Sequence, residues 1–123
     1  MSTQELGLDA IYDLAKKVML ANGCDVANAE ALADIISRAE RDGSHSHGLF
    51  RVPGYVKALR SGKVDGKAKP TIKHITPAVI QVDGHGCFAP LAQPVGLPVL
   101  VEATNQSALV LCRLLGFIIL LRF

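Results

Sequence analysis

The 123-residue sequence has no C-x-x-C pair, no run of basic residues and no secretory leader pattern. Its three cysteines, Cys24, Cys87 and Cys112, stand far apart, which argues against a disulfide ladder or a zinc ribbon and fits reduced thiols in a cytoplasmic protein. Lys and Arg number 13 against 11 Asp and Glu and are scattered, so no nucleic-acid partner is expected. The N-terminus lacks a basic region followed by an apolar one, which argues against export. The apolar segment 108–123 is interrupted by Arg113 and falls short of the roughly 18 residues a membrane helix needs, so no membrane association is expected.

What remains is a chain that is 50% apolar, enough for the core of one small domain. Leu8, Ile11, Leu14, Ala15, Val18 and Met19 recur at helical spacing, and Gly23 stands where that helix would stop. Asp25 is placed to cap a second helix whose stripe is Ala29, Leu32, Ile36 and Ala39, widened by Ile35 and ended by Gly43. The two are expected to pack as an antiparallel pair. A short helical turn at 46–51 and a helix over 53–61 follow, Pro53 suiting a first turn and Gly62 ending it. β-Branched residues on both sides of Pro77 predict a hairpin, and spacing over 89–104 predicts a helix, with Pro94 and Pro98 restricting where it starts. The fold class is α+β: an N-terminal helical layer, a short hairpin and the beginning of a larger domain. Residues 1–66 form the helical region with an S-H-G-x-x-R motif, 67–106 the start of an α/β cofactor domain, and 107–123 an aberrant apolar tail.

The chemistry concentrates in "DGSHSHGLFRVPGY", residues 42–55. If Ser46 opens a helical turn, His47 and Arg51 lie four apart on one face. An imidazole titrates near neutrality and can protonate a carbonyl oxygen or an imine nitrogen, while a guanidinium grips a carboxylate through two parallel hydrogen bonds. The pair suits a small 2-oxo or 2-imino acid. Ser46 can hydrogen-bond the imidazole or pass a proton, and Gly48 leaves room for a ligand beside the backbone. The structural alternative makes Ser44 or Ser46 a helix cap, His47 a surface residue and Arg51 an ion-pair partner. No metal site is expected: His45 and His47 point the same way only on a strand, and a third ligand is not evident. His74 and His85 read as a strand residue and a turn residue, and "DGHG" lacks the Lys-Ser/Thr of a phosphate loop.

The run over 41–66, with the form R-D-G-x-x-S-H-G-x-F-R-x-P-G-Y, resembles the malate/L-lactate dehydrogenase family that is unrelated to Rossmann-type dehydrogenases. It looks most like the branch of Δ1-piperideine-2-carboxylate and Δ1-pyrroline-2-carboxylate reductases. The two preceding helices, the hairpin and "GCFA" follow the same order, so the resemblance covers about residues 6–106. It implies His47 as proton donor, Ser46 as its relay partner, Arg51 as the clamp on the substrate carboxylate, and NADPH or NADH as hydride source. The implied reaction yields L-pipecolate or L-proline from the cyclic imine; the alternative within the family is a malate, L-lactate or other 2-hydroxyacid dehydrogenase. A family-like homodimer is compatible with the chain. A third reading is a non-catalytic helical module whose tail docks to a partner or a membrane.

The family continues with a His-His-Phe-type motif on the cofactor phosphates, which is absent here. Synonymous codons for residues 117–123 exist that spell His-His-Phe-Ala-Ala-Leu in a shifted frame. The expectation is therefore a truncated, frameshifted chain that retains no cofactor-binding residues, binds no NADPH, is inactive by itself, and leaves Ile80 and Val82 short of packing partners.

Overall fold

The computed structural model describes residues 4–107 and 109–116, so the frameshift expectation for 117–123 lies outside the described residues. Helix α1 spans Leu8–Ala21 and α2 spans Val26–Arg41. The Asp25 carboxylate accepts the Asn28 amide at 2.9 Å and so caps α2. Gly23, Gly43 and Gly62 follow the ends of three helices with φ of 100°, 72° and 71°, a region that Cβ-bearing residues avoid.

Ile11, Ala15 and Met19 form the buried stripe of α1, four residues apart, and meet Ala29, Leu32, Ala33 and Ile36 of α2. Leu8, Leu14 and Ile35 are exposed, so the apolar stripes are narrower than the sequence predicts. Leu14 is three positions from Ile11 and only one from Ala15, which turns it off the contact line. Lys16 and Glu30 pair at 2.8 Å across the two helices.

After α2 come two single turns of 3-10 helix, His45–His47 and Leu49–Arg51, and then α3, Val52–Arg60, with proline in its first turn. α3 lays Ala58 against Met19, Cys24 and Leu32, with Tyr55, Val56 and Leu59 flanking the same cluster. At Gly66 a Cβ would stand 2.8 Å from the Gly23 carbonyl oxygen, and only glycine lets the connector approach the α1–α2 turn, where Asp25 N–H donates to Gly66 O at 2.9 Å.

Strands β1, Thr71–Thr76, and β2, Val79–Asp83, form the expected antiparallel hairpin, with a register shift between His74 and Thr76. Helix α4, Ala89–Thr104, runs through Pro94 and Pro98. Each proline removes an intrahelical hydrogen bond at a cost of about 3 kcal/mol in an ordinary helix interior. Both rings lie on the exposed side, and Ala92, Gly96 and Ala103 are buried on the other. Gly96 has a packing reason: a Cβ there would fall 2.7 Å from Val82 Cγ2.

Within the segment read as an aberrant tail, Leu111–Leu115 form a strand, β3, parallel to β2 in the order β1-β2-β3. β2, α4 and β3 thus make a β-α-β unit. Ile80 and Val82 are fully buried, against Ala92, Ala103 and half-buried Cys112, which corrects the expectation that they lack packing partners. The backbone of β3 supplies the ladder whatever its side chains, so a segment without an amphipathic pattern can still complete the sheet.

Candidate functional site

The candidate site stands on the two 3-10 turns between α2 and α3. Expectation had one helical turn over 46–51; instead the chain breaks at Gly48, whose φ and ψ are −89° and −136°. His47 and Arg51 therefore do not share a continuous helical face. They are brought together by a different route. Ser46 Oγ lies 3.0 Å from His47 Nδ1, and Arg51 Nε donates to the Ser46 carbonyl oxygen at 2.9 Å. Ser46 thus holds the imidazole through its side chain and the guanidinium through its backbone. Ser44 Oγ stands 3.4 Å from the same Nδ1. Neither serine caps a helix through its side chain at the turn starts.

The Ser46–His47 bond operates in both directions. With the hydroxyl donating to Nδ1, Nε2 carries the proton and is the donor; with Nδ1–H donating to Oγ, neutral Nε2 is the acceptor. Ser46 and His47 are exposed and Arg51 is half-buried, so the imidazole is open to solvent. Behind them Tyr55 packs edge-on against Phe88, centroids 5.3 Å apart. Burial pushes the Tyr55 hydroxyl above its ordinary pKa, against the pull of the Arg51 charge.

Gly48 is not an opening for a ligand, as its sequence position suggested. Its missing side chain is replaced by the Glu40 carboxylate: a Cβ at Gly48 would collide with it, 2.5 Å from Cδ. Glu40 Oε1 also accepts the Leu49 amide at 2.8 Å, and Oε2 pairs with His45 Nδ1. The His45 contact first, and then the Leu49 amide, hold the Glu40 carboxyl below its usual range. Sequence reasoning passed over Glu40. Its signal was an acid in the last turn of a helix, where the dipole disfavours negative charge unless a partner compensates.

His45 and His47 face different partners, and among the described residues no group of three His, Cys, Asp or Glu is placed to hold a metal. His74 lies in β1 and His85 in the turn before α4, where its Nε2 is 2.8 Å from Thr71 Oγ1. No helix among the described residues is long and apolar enough to cross a membrane.

The turn at 84–87, which opens α4, has the glycines of a phosphate-binding loop but not its free amides. Gly84 N–H donates to Leu115 O, His85 N–H to Asp83 Oδ1, Gly86 N–H to Gly116 O and Cys87 N–H to Gly84 O, all within 2.8–2.9 Å. A dinucleotide's phosphates would need those donors. That turn therefore offers no free amides to the phosphates of a nicotinamide cofactor.

The fold is mixed α+β, with an imidazole, a hydroxyl and a guanidinium linked on adjoining turns, and the family it matches is one of oxidoreductases. The chain belongs to the malate/L-lactate dehydrogenase family, whose profile matches residues 7–114. It is 40% identical over 104 residues to a Δ1-pyrroline-2-carboxylate reductase of Burkholderia ambifaria, covering 85% of this chain and 31% of the relative. The crystal structure of Δ1-piperideine-2-carboxylate reductase from Pseudomonas syringae pv. tomato superposes with a TM-score of 0.88 at 34% identity, over 94% of this chain and 35% of that one. Malate dehydrogenase from Entamoeba histolytica superposes with a TM-score of 0.76 at 25% identity, over 86% and 30%. The chain spans about a third of the length of the relatives it matches. The match also runs beyond residue 106, through most of β3.

Proposed function

We propose that this chain is the proton-donor and carboxylate-binding segment of an NAD(P)H-dependent reductase that converts cyclic 2-imino acids, Δ1-pyrroline-2-carboxylate or Δ1-piperideine-2-carboxylate, to L-proline or L-pipecolate. The observation that carries the reading is the double hold of Ser46 on His47 and Arg51. His47 Nε2 delivers a proton to the imine nitrogen, Ser46 fixes the ring and exchanges the proton at Nδ1, and Arg51 holds the carboxylate. A reduced nicotinamide supplies the hydride in such a reaction.

Residues 1–66 carry this substrate chemistry. Residues 67–106 open the cofactor domain, a division supported by the separate cluster of Ala68, Ile80, Val82, Cys87, Ala92 and Ala103. Residues 107–123 form a third region, whose first part adds β3 to that sheet. The family resemblance further supports a cytoplasmic location, a homodimer, and NADPH or NADH as the cofactor of the whole protein.

The test is a chimera in which residues 7–114 replace the matching segment of the Pseudomonas syringae reductase. Reduction of the cyclic imine, abolished by His47→Ala, is the expected result. The likeness to a malate dehydrogenase supports a second reading, 2-hydroxyacid oxidation, because an imidazole and a guanidinium serve either substrate. Turnover of malate or lactate but not of the imine by the chimera would replace the first reading with the second.

A further inference from the structure

The geometry points to Glu40 as a positioning residue that sets the two turns carrying His47 and Arg51. This inference rests on the reading of His47 as proton donor and adds a group that does not touch the substrate. Glu40 belongs to the last turn of α2, yet its side chain reaches over the following loop. One carboxylate meets His45 in the first 3-10 turn and the Leu49 amide that starts the second, and it fills the space that a Cβ of Gly48, at the break between them, would need. The carboxylate thus spans the break. It ties both turns to the last turn of α2.

The break at Gly48 ends the first turn, so the Leu49 amide has no carbonyl of a continuing helix to meet and takes a carboxylate oxygen instead. The hydroxyl and imidazole of Ser46 and His47 are exposed and would sample several rotamers if the turn beneath them moved. A carboxylate with a side chain only 15% exposed, held on both oxygens, removes that freedom. Glycine at 48 is then required by close approach, since any side chain would evict the carboxylate.

The experiment uses the 123-residue chain labelled with ¹⁵N, reading Leu49 amide exchange and the His47 ring nitrogen shifts, with circular dichroism as the check on folding. Glu40→Ala should speed Leu49 exchange about tenfold or more, as loss of a bond to a charged acceptor implies. It should also move the His47 nitrogens toward those of a free imidazole. Glu40→Gln keeps an acceptor for the Leu49 amide and should restore both signals. Glu40→Met, similar in volume but without a strong acceptor, serves where the alanine variant does not fold, and should behave as alanine. Unchanged His47 signals in Glu40→Ala or Glu40→Met, or a glutamine variant as perturbed as they are, would overturn the inference. The proton-donor reading fails separately, on turnover of the His47→Ala chimera.

Discussion

The Tyr55 ring stands edge-on to the Phe88 ring, at 83° between planes and 5.3 Å between centroids, and this contact joins the helix behind the candidate site to the start of α4. Phe88 is 1% exposed and is the largest fully buried side chain among the described residues. Phe88→Ala should lower unfolding free energy by about 3–5 kcal/mol. Tyr55→Leu should cost less, and a double-mutant cycle by urea denaturation should give a coupling of about 0.5–1.5 kcal/mol for the ring pair. Additive effects would mean that the edge-on geometry contributes nothing beyond burial.

In the chimera, His47→Ala should lower turnover about 10²–10⁴-fold while cofactor affinity stays close to that of the parent. Steady-state kinetics with the cyclic imine, beside a cofactor titration, measures both. Unchanged turnover would remove His47 from the chemistry.

Arg51→Lys in the same chimera should act mainly on the substrate Michaelis constant. An ammonium keeps the charge but cannot present two parallel donors to a carboxylate, and it also loses the rigid link from Nε to Ser46 O. An equal loss with a substrate analogue that lacks the carboxylate would make Arg51 a support for the turn instead.

Cys24 is 6% exposed, and burial, aided by the Asp25 charge, pushes its thiol from the ordinary 9.0 up to about 11. The unfolded chain releases this proton first as pH rises, so the folded state binds more protons between those values. Stability should therefore fall between about pH 9 and about pH 11. Thermal melts across that window, compared with Cys24→Ala, measure the effect: the alanine variant should lose less stability over the same range. Parallel curves would show that other groups govern the alkaline limb.

The 123-residue chain by itself should show no saturable NADPH binding in calorimetric titration, because the glycine turn at 84–87 has its amides engaged. Saturable binding would place a cofactor site within this segment and withdraw the reading of that turn.

Much of this architecture was legible in local signals. Asp25 as a cap, the glycines after three helices, and β-branched residues around Pro77 each act within a few positions of themselves. β3 was not legible, because a strand that pairs through its backbone need not carry a period-two pattern, and Leu111, Arg113 and Leu114 all remain exposed. The helix over 89–104 was legible from its apolar spacing in spite of Pro94 and Pro98, which fall on its exposed side. At the site, residue types announced Ser46, His47 and Arg51, but their linkage runs through a carbonyl that no sequence pattern encodes. Glu40 was hidden for a related reason: its partners lie five and nine positions away, across the end of a helix.

The closing of the turn at 84–87 by the Leu115 and Gly116 carbonyls bears on the order of folding. The α1–α2 pair and the β1–β2 hairpin join neighbours in sequence and can form as soon as their residues are available. The Gly84 and Gly86 amides must wait for acceptors on the far side of α4, so the entropy of closing that long loop comes first. During synthesis the turn that starts α4 stays unfinished until residue 116 is free to return to it. β3 then arrives as the clasp that closes this turn.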